Sequence, residues 1–220
     1  MTIQKGRDWG ELATVPFNVV VANDETGLAR VVANALQSGS VSTSVDVPRI
    51  ALRTGNLLTT LGIASGARLS SVCAGEPCRL LPCDAYEITL TAGRRTVTTV
   101  AVSTVLVGSA VNPVWWLTSG GFVGGLNVAP NSHPNDGRAD ALVWGAMRLR
   151  DVLAIRRRMR LGSHLPHPAL EMQRGSTLRW QSSQGRRRVM IDGRNYGRAD
   201  AVSVTVRPDA FTLVVTATQE

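Results

Sequence analysis

Lysine is nearly missing. Lys5 is the only one, although the 220-residue chain has 24 basic side chains against 16 acidic ones and a net charge of +8. The positive charge is therefore arginine, whose planar guanidinium pairs with phosphate and carboxylate through two parallel hydrogen bonds. Such a balance points to an anionic partner: nucleic acid, an acidic membrane surface or a phosphate-bearing ligand. Cysteine is also scarce. Cys73, Cys78 and Cys83 form no Cys-x-x-Cys pair, which excludes a zinc knuckle or a disulfide framework and leaves reduced thiols. Between positions 96 and 135 there is no Asp, Glu, Lys or Arg. Gly108, Pro113, Gly120, Gly121, Gly124 and Gly125 break that run well short of the roughly 18 apolar residues a transmembrane helix needs, so it reads as buried strands and tight loops. The opening MTIQKGRDWGE has no apolar core of signal-peptide type, and a cytoplasmic chain is expected.

What is present is an ordinary globular balance, 44% hydrophobic with 18% charged, enough for one large domain or two small ones. Residues 17–22 (FNVVVA) are a continuous apolar run suited to a strand buried on both faces. Asn23-Asp24 then stand where a helix is capped, and Leu28, Val31, Val32, Ala35 and Leu36 recur at helical spacing. The pattern repeats once, with a strand over 45–52 and a helix start over 56–61. That order implies parallel pairing and places the Gly55 turn at the carboxyl edge of a sheet, where open α/β sheets bind ligands.

From about Ser70 the text becomes short strands and turns: 85–92, 96–106, 176–181, 187–191, 201–206 and 211–216, with a hairpin tip at Gly93-Arg94. One helix interrupts them over 146–160, with Met147, Val152, Ile155 and Met159 along one side and Arg148, Arg156, Arg157 and Arg158 towards the other. The expected fold is α/β plus β. A small N-terminal parallel α/β domain (1–70) precedes a β-sandwich-like C-terminal domain (71–220) with one main helix.

The rest is weighed against residues 125–143, GLNVAPNSHPNDGRADALV, a loop of Pro, Asn, Ser, Asp and Gly between two apolar runs. Its NVAPNSHPNDGRADALV resembles the "apxAxxDDGxLDvxxv" segment of the bacterial lipid kinases related to diacylglycerol and sphingosine kinases. Two further resemblances follow in family order: Arg160-Leu161-Gly162-Ser163-His164 to "kxGxH", and Val189-Met190-Ile191-Asp192-Gly193-Arg194 to "vxxDGE".

The resemblance implies ATP-dependent phosphorylation of a lipid hydroxyl, of diacylglycerol type, at an anionic membrane surface, with ATP and Mg2+ as cofactors. It puts Asp192 in the place of the catalytic base and Asn135 and Asp136 at a magnesium-binding turn. The nucleotide turn falls on Thr54, Gly55, Asn56, Thr59 and Thr60, where one glycine stands for several. Arg194 replaces the family's glutamate and would depress the basicity of Asp192 if the two are close. Plain structural turns account for both segments as well, and the second hypothesis is a relative that binds lipid or nucleotide without turnover. Nucleic acid has no motif of its own, because the aromatics do not interleave with the arginines. His133, His164 and His167 read as loop-fixing residues in preference to zinc ligands, and a second copy of the chain could complete the small N-terminal sheet.

Overall fold

The computed structural model describes residues 9–38, 47–62 and 73–216. Strand β1 (Glu11–Thr14) is followed by two strand–helix units: β2 (Val20–Ala22) with α1 (Glu25–Gln37), and β3 (Arg49–Leu52) with the short α2 (Asn56–Thr60). Asp24 caps α1 through its carboxylate, which accepts from the Gly27 N–H at 2.7 Å. Leu28 and Val32, spaced one turn apart, are buried with Ala29 and Glu25 on one side of this helix.

The remaining chain is β4 (Pro77–Ala92), β5 (Arg95–Ala101), β6 (Thr104–Gly108), β7 (Pro113–Thr118), the small hairpin of β8 (Phe122–Val123) and β9 (Leu126–Asn127), and β10 (Ala139–Trp144). Helix α3 (Leu149–Met159) precedes β11 (Leu170–Gly175), β12 (Thr177–Gln181), β13 (Arg187–Ile191), β14 (Arg194–Ala199) and β15 (Ala201–Thr216).

One sheet has the order β1-β4-β15-β3-β2, with β5 beside β4 and β12 beside β15; the other runs β11-β10-β7-β6-β13-β14. The fold turns on β4 and β15, each 16 residues long and paired antiparallel along their length. Their Tyr86–Leu90 and Val202–Val206 ends pack against the second sheet, with Trp115, Leu117, Ala141, Val189 and Ile191 between them. The other ends, carrying Leu81, Cys83, Phe211 and Leu213, are covered by Leu28, Val32, Leu57 and Leu58 of the two N-terminal helices. There β3 runs parallel to β15 and to β2, so the strand–helix units extend the sandwich's own sheet. Trp115 and Trp116 point to opposite faces, the first into the inter-sheet core and the second under α3 with Trp144 and Met159.

β15 changes register between Arg207 and Phe211, where Asp209 adopts a positive φ of 52°. Asp84 of β4 holds this bulge. Its buried carboxylate accepts from the Asp209 N–H at 3.0 Å and the Gly137 N–H at 2.7 Å, tying the 134–137 loop to the point where the long strands pass from one layer to the other.

The parallel pairing, both N-terminal helices, the Gly93 hairpin tip and the buried side of α3 match expectation. Two elements differ. The run 17–22 is not buried on both faces: β2 is the outermost described strand of its sheet, Phe17 is 98% exposed in a turn, and Val20 and Val21 are half-exposed. The run 96–106 is not one strand but breaks at Val102-Ser103, for a reason that lies in the site. Removing the Asp84 carboxylate by Asp84→Ala leaves two amides, Asp209 of the bulge and Gly137 of the loop, without their acceptor. We expect a loss of about 2 kcal/mol, read as a lower urea midpoint at pH 7.

Candidate active site

The break between β5 and β6 is made by Asp192. Its carboxylate lies buried against the backbone of that turn and accepts three amide hydrogens, from Val102 at 2.9 Å, Ser103 at 3.0 Å and Thr104 at 2.8 Å. Asp192 and Gly193 are the two loop residues of the β13–β14 hairpin, with φ of 46° and 79°, the left-handed pair a two-residue hairpin requires. The turn is thus anchored by its own side chain, and the Asp192 N–H returns a bond to the Thr104 carbonyl at 3.0 Å. The Asp192 carbonyl accepts from the Thr26 hydroxyl at 2.8 Å, joining this corner to the first turn of α1.

Facing Asp192 is Glu25, also buried, from that same first turn. Its Oε1 accepts from the Leu57 N–H and its Oε2 from the Asn56 side-chain amide, both at 2.9 Å. Two buried carboxylates therefore share one corner. Burial, with the charge of Glu25, pushes Asp192 up to about 8 against the pull of its three amide donors. Burial pushes Glu25 upward as well. Arg194, expected to lower Asp192 if the two were close, has its guanidinium 5.5 Å over the Tyr196 ring.

The residues assigned to the nucleotide turn gather at this corner, but their polar atoms are engaged within the protein. Thr54 donates to the Asn23 carbonyl at 2.9 Å, and Thr59 lies 3.5 Å from the Gly55 carbonyl. Thr60 reaches the carbonyls of Asn56 at 3.0 Å and Gly120 at 2.9 Å. Asn56 accepts from the Gly124 N–H at 2.7 Å while donating to Glu25. Gly55 has no Cβ because one would stand 2.7 Å from Cγ of Glu25. The turn's glycine makes room for a carboxylate. The cavity beside Asp192, among Thr26, Arg30, Thr99, Arg194 and Tyr196, holds about 150 Å³, below the roughly 300–1,000 Å³ usual for ligand sites.

Asn135 and Asp136 lie elsewhere, at the bulge of β15. Asn135 donates to the Asp209 carboxylate at 2.9 Å. Asp136 makes an Asx-turn, accepting from the Arg138 N–H at 2.9 Å, and its second oxygen pairs with the Arg174 guanidinium. Arg174 also lies 3.5 Å from Asp140. A guanidinium thus engages the Asp136 carboxylate that the resemblance assigns to Mg2+, and a magnesium ion needs a near-octahedral set of oxygens. Among the described residues no group of three or more His, Cys, Asp or Glu side chains could hold a metal. The histidines fix loops as expected: His133 accepts from the Asn135 N–H, His167 from the Ala169 N–H, and buried His164 bonds the Val128 carbonyl.

Glu25 is a candidate-site residue that the sequence does not single out: it follows the Asn23-Asp24 cap at the start of a helix, as Asn56 follows Gly55, and its partners come from residues 56 and 57.

A pH dependence follows. The folded chain keeps a proton on Asp192 that the unfolded chain releases near pH 4, so this contribution is complete at low pH and is lost as pH rises through about 8. The urea midpoint is expected to fall over that window. Glu25→Gln, which keeps an acceptor for Leu57 but no charge, flattens the fall; a wild-type midpoint constant over the window contradicts the pairing.

Residues 87–215 match the family described as the YegS C-terminal NAD kinase beta sandwich-like domain. No curated protein matches the chain. Among solved structures, a diacylglycerol kinase from Bacillus anthracis strain Sterne aligns at 11% identity with a TM-score of 0.50, covering 91% of this chain and 77% of that one. Two candidate diacylglycerol kinases from the same strain, also 11% identical, align at TM-scores of 0.53 and 0.54, covering 91% and 90% of this chain and 79% and 78% of theirs. At that identity the likeness is one of fold. With more than half its length in the family match, the chain belongs to the YegS C-terminal, NAD kinase β-sandwich-like family, on a fold shared with diacylglycerol kinases.

Proposed function

We propose that this chain is a non-catalytic member of the lipid kinase fold that binds a lipid of diacylglycerol type, at the cytoplasmic face of an anionic membrane, without transferring phosphate. One observation carries this reading: the Glu25 carboxylate occupies the amide of Leu57 and the side chain of Asn56, the donors that would meet a phosphate oxygen. A phosphate entering there would displace a buried carboxylate and face a second one, Asp192, at close quarters. ATP and Mg2+ therefore fit the residues poorly. In this reading residues 1–70 are the remnant of a nucleotide-binding unit, carried by the lipid-kinase-like unit of 71–220.

Support for a lipid ligand comes from a groove of about 580 Å³ whose walls include Trp9, Leu12, Leu61, Leu81 and Val215. Its lining is chiefly apolar, as an acyl chain requires. The lipid kinase reading has its own observation. A carboxylate raised to about 8 beside the Gly55 turn has the basicity suited to removing a proton from a hydroxyl near neutral pH.

Two titrations decide between them. Calorimetry with MgATP up to millimolar nucleotide is expected to give no saturable heat, whereas a saturable isotherm lost in Asn56→Ala would overturn the closed nucleotide turn, and phosphate transfer from radiolabelled ATP to diacylglycerol would then establish the kinase reading. Diacylglycerol with brominated acyl chains is expected to quench tryptophan fluorescence through Trp9. Quenching unchanged in Trp9→Phe would remove the groove as the lipid site.

A further inference from the structure

Helix α3 buries Val152, Ile155 and Met159 against the outer face of the second sheet. At 100° per residue, positions 149, 153, 157 and 160 fall on one stripe, beside the face that carries those three. The stripe mixes two residue types. Leu149 and Leu153 are 53% and 50% exposed, Arg157 and Arg160 are exposed, and Leu161, just beyond the helix, is 84% exposed. Arg150 and Arg156 flank the stripe, and the helix's one acidic residue, Asp151, already pairs with Arg150 at 3.6 Å.

The surface continues beyond the helix. Arg156 lies 5.6 Å over the Trp116 ring and donates to the Ala110 carbonyl at 3.1 Å, which brings the β6–β7 hairpin, with Val111 60% exposed, beside α3. Ser109 and Asn112 of that hairpin form one wall of a shallow polar depression whose other wall holds Arg187, Arg188 and Arg198.

Exposed leucines alone would suit a protein partner, and exposed arginines alone would suit any polyanion. Their alternation on one helix suits a bilayer interface, where leucines enter the acyl boundary while guanidinium groups stay level with headgroup phosphates. Nucleic acid is served less well. Leucine offers a base nothing to stack on, and the nearest aromatic, Trp116, is buried beneath Arg156.

We propose that α3, with the tip of the β6–β7 hairpin, docks the protein on an anionic lipid bilayer, Leu149, Leu153 and Leu161 entering the acyl boundary and the arginines holding headgroup phosphates. The choice of a bilayer rests on the lipid reading above, but the surface is independent of the cleft and of the Trp9 groove.

The test is co-sedimentation of the full chain with vesicles of phosphatidylglycerol in phosphatidylcholine, and with phosphatidylcholine alone, without diacylglycerol or nucleotide. Binding is expected only with the anionic lipid. It should weaken about fivefold for each of Arg157→Gln and Arg160→Gln, and more than about tenfold for Leu149→Glu with Leu153→Glu. Leu153→Ala gives a milder loss in the same direction. Charge reversal at Arg94 and Arg95, on the β4–β5 hairpin, should leave binding unchanged. Equal binding to neutral vesicles, indifference to the leucine substitutions, or an equal loss on reversing Arg94 and Arg95 would overturn the proposal. So would retention of a DNA duplex with no vesicle binding. Vesicle binding that fails while Trp9 is still quenched by brominated diacylglycerol rejects the docking surface alone.

Discussion

The Asp192 carboxylate, closed against three consecutive backbone amides, is the interaction on which the molecule's centre depends. It ends β5 and starts β6, fixes the β13–β14 hairpin at its left-handed corner, and through the Asp192 carbonyl and Thr26 fastens that hairpin to α1. Without an acceptor at this point the amides of Val102, Ser103 and Thr104 would be buried and unpaired, each a cost comparable to a lost hydrogen bond. The constraint also sets the chemistry. A carboxylate so deeply enclosed and facing Glu25 holds its proton to about pH 8, and the two acids titrate as a pair.

That pair makes the fold and the chemistry diverge. The family's sandwich is present, built on β4 and β15, and a parallel edge beside it brings turns together at the carboxyl ends of β2 and β3. The converging groups are nevertheless turned on one another. Asn56 bridges Glu25 and Gly124, Thr60 bridges Asn56 and Gly120, and Gly55 accommodates the Glu25 side chain. At the β15 bulge Arg174 pairs with Asp136 and approaches Asp140.

Much of this was legible in the sequence because it depends on local rules. Alternation marked most of the strands, the Asp24 cap and the Leu28–Val32 spacing marked α1, and Asp192-Gly193 is the dipeptide a tight hairpin favours. Other features depend on contacts across long stretches of chain. The side chain that splits the run 96–106 comes from position 192, and the carboxylate beneath Gly55 comes from position 25. The exposure of Val20 and Val21 follows from β2 lying outermost in its sheet, a fact of topology that a continuous apolar run does not disclose. The same run that reads as a buried strand serves as an edge once nothing pairs beyond it among the described residues.

The measurement closest to the central claim is a carbon-13 NMR titration of the Glu25 and Asp192 carboxyl groups, assigned with Glu25→Gln. The account predicts coupled transitions, both above the ordinary carboxylate range, with Asp192 still protonated at neutral pH and moving downward when the Glu25 charge is removed. Two independent transitions near pH 4, unchanged by the substitution, would show that no buried acid pair closes this corner and would contradict the account.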